Sequence, residues 1–202
     1  MSDAPVRMAA ADRRRHLIET AIQAFSEGSY RGTTTAEIAR AAGVSEPILY
    51  RHFGSKRELY LAALDHVWTK AKAQWEQVLL GSPSVDAGLA DIGRGHFSVK
   101  DCKFQLAELW VQALGEASED ADLRKHLKRH LREVHDFVAD TIRRGQAEGS
   151  LHPARDAEAE AWVFMASGLF GMVGRRLGLL GDEEVTRIRK ARLEWMRAES
   201  GQ

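Results

Sequence analysis

Apolar positions along this chain recur every three to four residues, and no stretch of useful length alternates with the period of two that a strand requires. Leu17, Ile18, Ala21, Ile22 and Phe25 share one face of a segment from about Asp12 to Glu27, and Gly28 and Gly32 bracket the turn after it. A longer segment opens at Ser55, carries Tyr60, Leu64, Trp68, Ala71, Trp75 and Leu79, and stops before Gly81-Ser82-Pro83. Shorter helices are predicted at about 84–98 and 102–116. Leu123, Leu127, Leu131, Val134, Val138 and Ile142 mark a long one from about Ser118 to Glu148, ended by Gly149 and Pro153. Two more, at about 156–178 and 182–199, meet at Leu180-Gly181-Asp182. The pattern predicts an all-α chain of about nine helices.

Residues 33–60, TTTAEIARAAGVSEPILYRHFGSKRELY, break the pattern into short pieces. Thr34 and Glu37 have capping-box spacing, so a helix starts there, with Ile38, Ala39 and Ala42 on one face. Gly43 stands where the chain needs a left-handed backbone. Val44 packs the turn, Ser45 is placed to cap a second helix, and Leu49 and Phe53 face back to the first. Ser55 and Glu58 form another capping box. Two short helices crossing closely around a glycine turn make a helix-turn-helix, which sets one helix in the major groove of DNA.

The run IARAAGVSEPILYRHFGSKREL resembles the N-terminal domain of the TetR family of bacterial transcriptional regulators. Thr34, Ile38, Ala39, Ala42, Gly43, Val44, Ser45, Leu49, Tyr50, His52, Phe53, Ser55, Lys56 and Leu59 carry the match, which covers roughly a quarter of the chain. It implies a tail at 1–9, a three-helix DNA-binding head at 10–60, and a helical effector-binding and dimerisation domain at 61–202. It also implies that Glu46, Pro47 and Ile48 meet base edges. Glu46 can accept from a cytosine amino group, and Pro47 and Ile48 can pack on thymine methyls. Many members carry a small hydroxyl residue where Ile48 stands, so one polar contact is missing. Thr34, Thr35, Tyr50, His52 and Lys56 are the expected phosphate contacts, with Arg51 adding diffuse attraction and Ser45 opening the recognition helix.

Composition modifies this picture only a little. The 202 residues carry 29 basic and 29 acidic side chains, and neutrality argues mildly against a DNA binder. The first 60 residues hold nine Lys and Arg against seven Asp and Glu, a weak basic footprint that a dimer doubles. The single cysteine, Cys102, excludes an internal disulfide and suits a reducing compartment. With no signal-peptide pattern, and an apolar run near Ala161–Val173 too short to span a bilayer, a cytoplasmic protein without membrane contact is expected.

In the second half each candidate has a plain structural alternative. Gly168, Gly171, Gly174 and Gly178 follow no strand, so they are not a dinucleotide loop and instead permit close helix approach. By resemblance, the last two helices form a four-helix bundle across a homodimer. Gly168, Leu169, Phe170, Gly171, Val173 and Leu177, with Val185, Ile188, Trp195 and Met196, fit such a surface, and packing within the chain is the alternative. Trp68, Trp75, Phe97, Phe104, Trp110, Phe137, Trp162 and Met165 are candidates to line a pocket for a small apolar or amphipathic effector, although aromatics at helical spacing also build cores.

Asp122, His126, His130 and Glu133 share a stripe, but Arg124, Lys125, Lys128, Arg129 and Arg132 crowd it and would repel a cation, so no metal and no cofactor is expected. Neither G-x-S-x-G, H-E-x-x-H nor a phosphate-binding loop occurs; His96, Cys102 and the histidines of 126–135 are the only candidate chemistry. The sequence therefore reads as a non-enzymatic, homodimeric regulator, most simply a repressor released from a palindromic operator by its effector. A helical enzyme, or a ligand-binding module whose head does not bind DNA, is the competing class.

Overall fold

The computed structural model describes residues 9–94 and 100–197. Within them run α1 (Ala10–Glu27), α2 (Thr35–Ala41), α3 (Glu46–His52), α4 (Lys56–Gly81), α5 (Val85–Arg94), α6 (Lys100–Ala117), α7 (Ala121–Ala147), α8 (Ala157–Arg176) and α9 (Asp182–Met196). Leu151 and Arg197 form an isolated bridge, and no strand occurs among the described residues. The tail expected at 1–9 and the far ends expected for the helices at 84–98 and 182–199 fall largely outside the described residues.

Backbone contacts group the chain into two compact units, Met1–Val67 with Glu108–His126, and Trp68–Ala107 with Leu127–Gln202. The sequence placed a boundary after residue 60. The association of Glu108–His126 with the first unit is non-local, and no local pattern registers it.

The first unit is built on α1 to α3. Leu17, Ala21, Ile22 and Phe25 are the buried face of α1. The Thr34 hydroxyl accepts from the Glu37 amide at 3.2 Å while the Glu37 carboxylate accepts from the Thr34 amide at 2.8 Å, so both halves of the capping box form. Gly43 has φ +67°, and the Gly43 and Val44 amides close the helix end onto Arg40 and Ala39 carbonyls. Ser45 sits in extended backbone before α3, but its hydroxyl makes no capping bond. Pro47 in the first turn has no amide to satisfy, and the Ile48 and Leu49 amides reach the Ser45 carbonyl. At the start of α4 the Glu58 amide donates to the Ser55 hydroxyl, but the Glu58 carboxylate accepts from Gly54, one residue before the expected place.

The segment Glu108–His126 is tied to this unit by named bonds. The buried Tyr60 hydroxyl donates to the Leu109 carbonyl at 2.6 Å, and Gln112 donates to the Phe25 carbonyl at 2.8 Å. Arg31 pairs with Glu116 and Glu119, and Arg57 with Asp120 and Asp122. Bonds from the Leu123 amide and Arg57 hold the Asp120 carboxyl below its ordinary pKa.

In the second unit Val78, Leu79, Val85, Ile92, Val138, Ala139, Ile142, Leu151, Ala157, Ala161 and Met196 form one core, flanked by Trp75, Leu89, Phe137 and Phe164. A Cβ at Gly145 would lie 2.6 Å from Leu151 Cδ1, so glycine is required for α7 to meet the chain that follows it. The His152 amide donates to the Met196 carbonyl at 2.9 Å and Arg197 pairs with Asp86 at 2.8 Å, fastening the end of α9.

Candidate functional site

The leading surface of α3 is carried by two anchors. Leu49 and Phe53 are fully buried, and the Arg14 guanidinium lies 4.2 Å over the Phe53 ring. This fixes which side of the short helix faces outward. Ser45, Pro47, Tyr50 and Arg51 are exposed, and Glu46, Ile48 and His52 are half-buried. Tyr50 is 46% exposed despite its large ring.

Thr34 is exposed, but Thr35 departs from its expected place. It is only 7% exposed, and its hydroxyl is engaged inside the head. Thr35 Oγ1 donates to Glu46 Oε1 at 2.5 Å and lies 3.1 Å from the Tyr50 hydroxyl. A side chain buried in the α2–α3 contact is not placed to reach a phosphate. Lys56 is half-buried; its ammonium lies 4.7 Å over the Tyr30 ring and 3.5 Å from the Arg31 carbonyl. Burial lowers its pKa, with Glu116 and Glu37 pulling the other way.

In the second unit a cleft of about 450 Å³ is lined by Trp68 and Lys72 from α4 and by Glu133, Asp136, Phe137, Asp140, Thr141 and Arg144 from α7. The Trp68 ring is 5.8 Å from Trp75 and 5.7 Å from Phe137, both edge to face, and His130 lies 6.4 Å away. Of the residues expected to line a pocket, Trp68 and Phe137 do so and Trp75 backs them. Trp110 is buried in the first unit instead. Trp162 is exposed on α8 and stacks on His135 at 4.2 Å, and Met165 is half-buried. Phe97, His96 and the side chains of Cys102 and Phe104 lie outside the described residues.

The cleft's polar half was missed from sequence. Glu133, Asp136, Asp140 and Arg144 run at helical spacing beside the apolar stripe of α7, which was the available signal. Of the metal-like stripe, His126 instead meets Asp65 at 2.9 Å and Asp122 meets Arg57. Among the described residues no group of three or more His, Cys, Asp or Glu is placed to hold a metal ion.

Comparison with known proteins agrees with this geometry. The family model "Bacterial regulatory proteins, tetR family" matches residues 17–63, and "BetI-type transcriptional repressor, C-terminal" matches residues 86–169. The chain belongs to the TetR family. It is therefore a DNA-binding, ligand-responsive transcriptional regulator. The HTH-type transcriptional regulator BetI of Rhizobium meliloti is 25% identical over 160 residues, 78% of this chain and 76% of that protein. The activator FasR of Mycolicibacterium smegmatis is 47% identical over 58 residues, 29% of this chain and 26% of that protein. Among solved structures, a TetR-family regulator from Rhodococcus sp. has TM-score 0.81 at 21% identity, covering 93% of this chain and 100% of its own. A regulator from Saccharomonospora viridis in complex with choline has TM-score 0.75 at 21% identity, covering 92% of this chain and 95% of its own.

TetR-family regulators dimerise, and the residues expected to form the dimer surface divide in two. Phe170, Leu177, Ile188 and Trp195 are exposed apolar side chains, and Leu169 and Val173 are half-buried. A Cβ at Gly168 or Gly171 would meet nothing within 4 Å, so neither glycine is needed for packing within this chain. Val185 and Met196 are instead buried, and Met196 lies in the core of its own unit, where the His152 amide fastens the end of α9. Gly174 and Gly178 also serve the chain itself. Gly174 makes room for Leu180, and Gly178, at φ +66°, ends α8. No described helix is long and apolar enough to cross a membrane.

Proposed function

We propose that the protein is a cytoplasmic, non-enzymatic repressor. On this reading it binds a palindromic operator as a homodimer and leaves it when a small amphipathic cation occupies the cleft beside Trp68. The observation that carries the reading is the exposed edge of α3 above the buried pair Leu49 and Phe53. Two such helices, about 34 Å apart, would enter successive major grooves. Ser45, Glu46, Pro47 and Ile48 would face bases, and Thr34, Tyr50, Arg51, His52 and Lys56 the backbone. Phe170, Leu177, Ile188 and Trp195 supply an apolar surface for the second protomer.

The effector class rests on chemistry. Trp and Phe faces attract cations, and three carboxylates against two basic side chains leave the cleft negative. Lys72 holds its ammonium 5.5 Å over the Phe137 ring, which supports a cation-attracting face. The choline-bound structural neighbour favours a quaternary ammonium compound. Such a ligand opposes DNA through linkage if it binds the non-binding conformation better. An activator is the second reading, favoured by the 47% identity to the activator FasR over 58 residues.

The test selects bound sequences from random duplexes and then competes the best one with choline at fixed salt, since affinity depends steeply on ionic strength. A palindrome released by choline is the expected result. Choline that binds without weakening the complex contradicts the effector reading, and no enrichment contradicts operator binding.

A further inference from the structure

Thr35 and Glu46 lie eleven residues apart on different helices, and their 2.5 Å bond is the shortest link from α2 to the side chains of α3. An ionised carboxylate only accepts, so the single proton of the Thr35 hydroxyl goes to Glu46. The Tyr50 hydroxyl, 3.1 Å away on the other side, must then be the donor to Thr35. The chain of bonds has one direction, from Tyr50 through Thr35 to Glu46. The threonine is buried, and buried hydrogen bonds of this kind hold their geometry.

Glu46 opens α3, the end of a recognition helix that meets base edges. A carboxylate with one oxygen pinned by Thr35 still has lone pairs to offer but no proton. In the major groove it can pair only with an exocyclic amino group, N4 of cytosine or N6 of adenine. Against guanine O6 and N7, or thymine O4, it meets acceptor with acceptor. Cytosine is favoured over adenine, whose N7 acceptor adjoins its amino group.

We propose that Thr35 is a positioning residue that orients Glu46 as an amino-versus-keto discriminator, so that each half-site contains one position where cytosine or adenine is required over guanine or thymine. The proposal rests on the α3 docking described above. It gives Thr35 a part in sequence choice without any contact to DNA, and it gives the acidic residue at the front of the helix a use that outweighs its repulsion from phosphate.

The experiment is selection from random duplexes with the full-length protein and with Glu46→Gln, Thr35→Val, Thr35→Ala and Thr35→Ser, each checked for wild-type helix content by circular dichroism. The wild type should enrich cytosine, then adenine, at one position per half-site, about five- to tenfold over guanine and thymine. Thr35→Val and Thr35→Ala should lose that preference at that position while the others stay enriched, and Glu46→Gln, whose amide both accepts and donates, should lose the preference for cytosine there. Thr35→Ser, which keeps the hydroxyl, should retain it. The proposal is overturned if both Thr35→Val and Thr35→Ala keep the preference, or if enrichment falls evenly at every position, as a merely structural defect would produce. It is equally overturned if Glu46→Gln changes nothing. A wild type that enriches no sequence removes operator binding itself, and is thereby told apart from a wild type that enriches a site without this position.

Discussion

In the first compact unit α1, α2 and α3 close their apolar faces on one another, so that Leu17, Phe25, Ile38, Leu49 and Phe53 are all at 1% exposure or less. In the second, α8 and α9 leave Phe170 at 57%, Leu177 at 73% and Trp195 at 55%. Both regions are amphipathic helices of ordinary composition. Helices α1 to α3 satisfy their hydrophobic faces within one chain, and α8 and α9 do not. Gathered into one patch, exposed apolar side chains of this size would mark an interaction site, which fits a family whose members dimerise. A leucine of one unit and a leucine of the other should therefore respond to the same substitution in different assays.

The sharpest contrast is Leu49→Ala against Leu177→Ala. At the fully buried Leu49 the lost contacts and the residual cavity should cost about 2–5 kcal/mol in urea denaturation. At the exposed Leu177 the same change should move monomer stability by less than about 0.5 kcal/mol, but weaken the dimer measured by sedimentation. Equal stability losses at the two sites would erase the distinction drawn between the units.

The head is legible in sequence because its devices are local. A capping box spans three residues, a left-handed glycine needs no partner, and the anchors Leu49 and Phe53 lie four residues apart, one on α3 and one just past its end. What was missed there is non-local: the Thr35–Glu46 bond, and the pairing of Arg31 and Arg57 with the acidic stretch 116–122. In the second unit periodicity marks which face of a helix is apolar, but not what covers it. Val185 and Ile188 belong to the same short helix and were expected on one surface, yet one is buried and the other exposed. Trp110 and Trp68 read alike as pocket aromatics, but they fall in different units.

Two glycines sharpen the same contrast within the second unit. A Cβ at Gly145 would come within 2.6 Å of Leu151 Cδ1, 2.8 Å of its Cγ and 3.0 Å of Val85 Cγ1, and Leu151 is completely buried. Gly145→Ala should therefore destabilise the folded chain by about 1–3 kcal/mol. A Cβ at Gly168 meets nothing within 4 Å, so Gly168→Ala should stabilise the monomer by up to about 1 kcal/mol through helix propensity. If α8 packs against a second protomer there, the same methyl should weaken the dimer. A dimer indifferent to Gly168→Ala would move the interface elsewhere.

At the DNA face, Lys56→Ala should reduce affinity about tenfold for every duplex alike, since a phosphate contact carries no sequence information. Fluorescence anisotropy on a selected and an unrelated duplex measures this, and the salt dependence should flatten by about one counterion per protomer. Loss confined to the selected duplex would mean that Lys56 shapes base recognition through the Tyr30 ring it covers.

The smallest effect belongs to His135, which has 4% of its surface exposed and stacks on Trp162. Burial disfavours its charge, but Asp136 at 3.1 Å and the Glu158 carbonyl at 3.0 Å outweigh that and raise its pKa above the ordinary 6.5. Both ring nitrogens face acceptors, an arrangement only the imidazolium satisfies fully. A raised folded pKa adds stability that is whole below the unfolded value and fades as pH climbs through the folded one. Asp136 and Glu158 are themselves largely exposed, and Arg143 also pairs with Glu158, so the contribution should not exceed about 1 kcal/mol. Urea midpoints of the wild type and His135→Asn should thus differ more at about pH 6 than at about pH 8.5. A gap that widens as pH rises would mean that His135 is held neutral, with the second nitrogen accepting rather than donating.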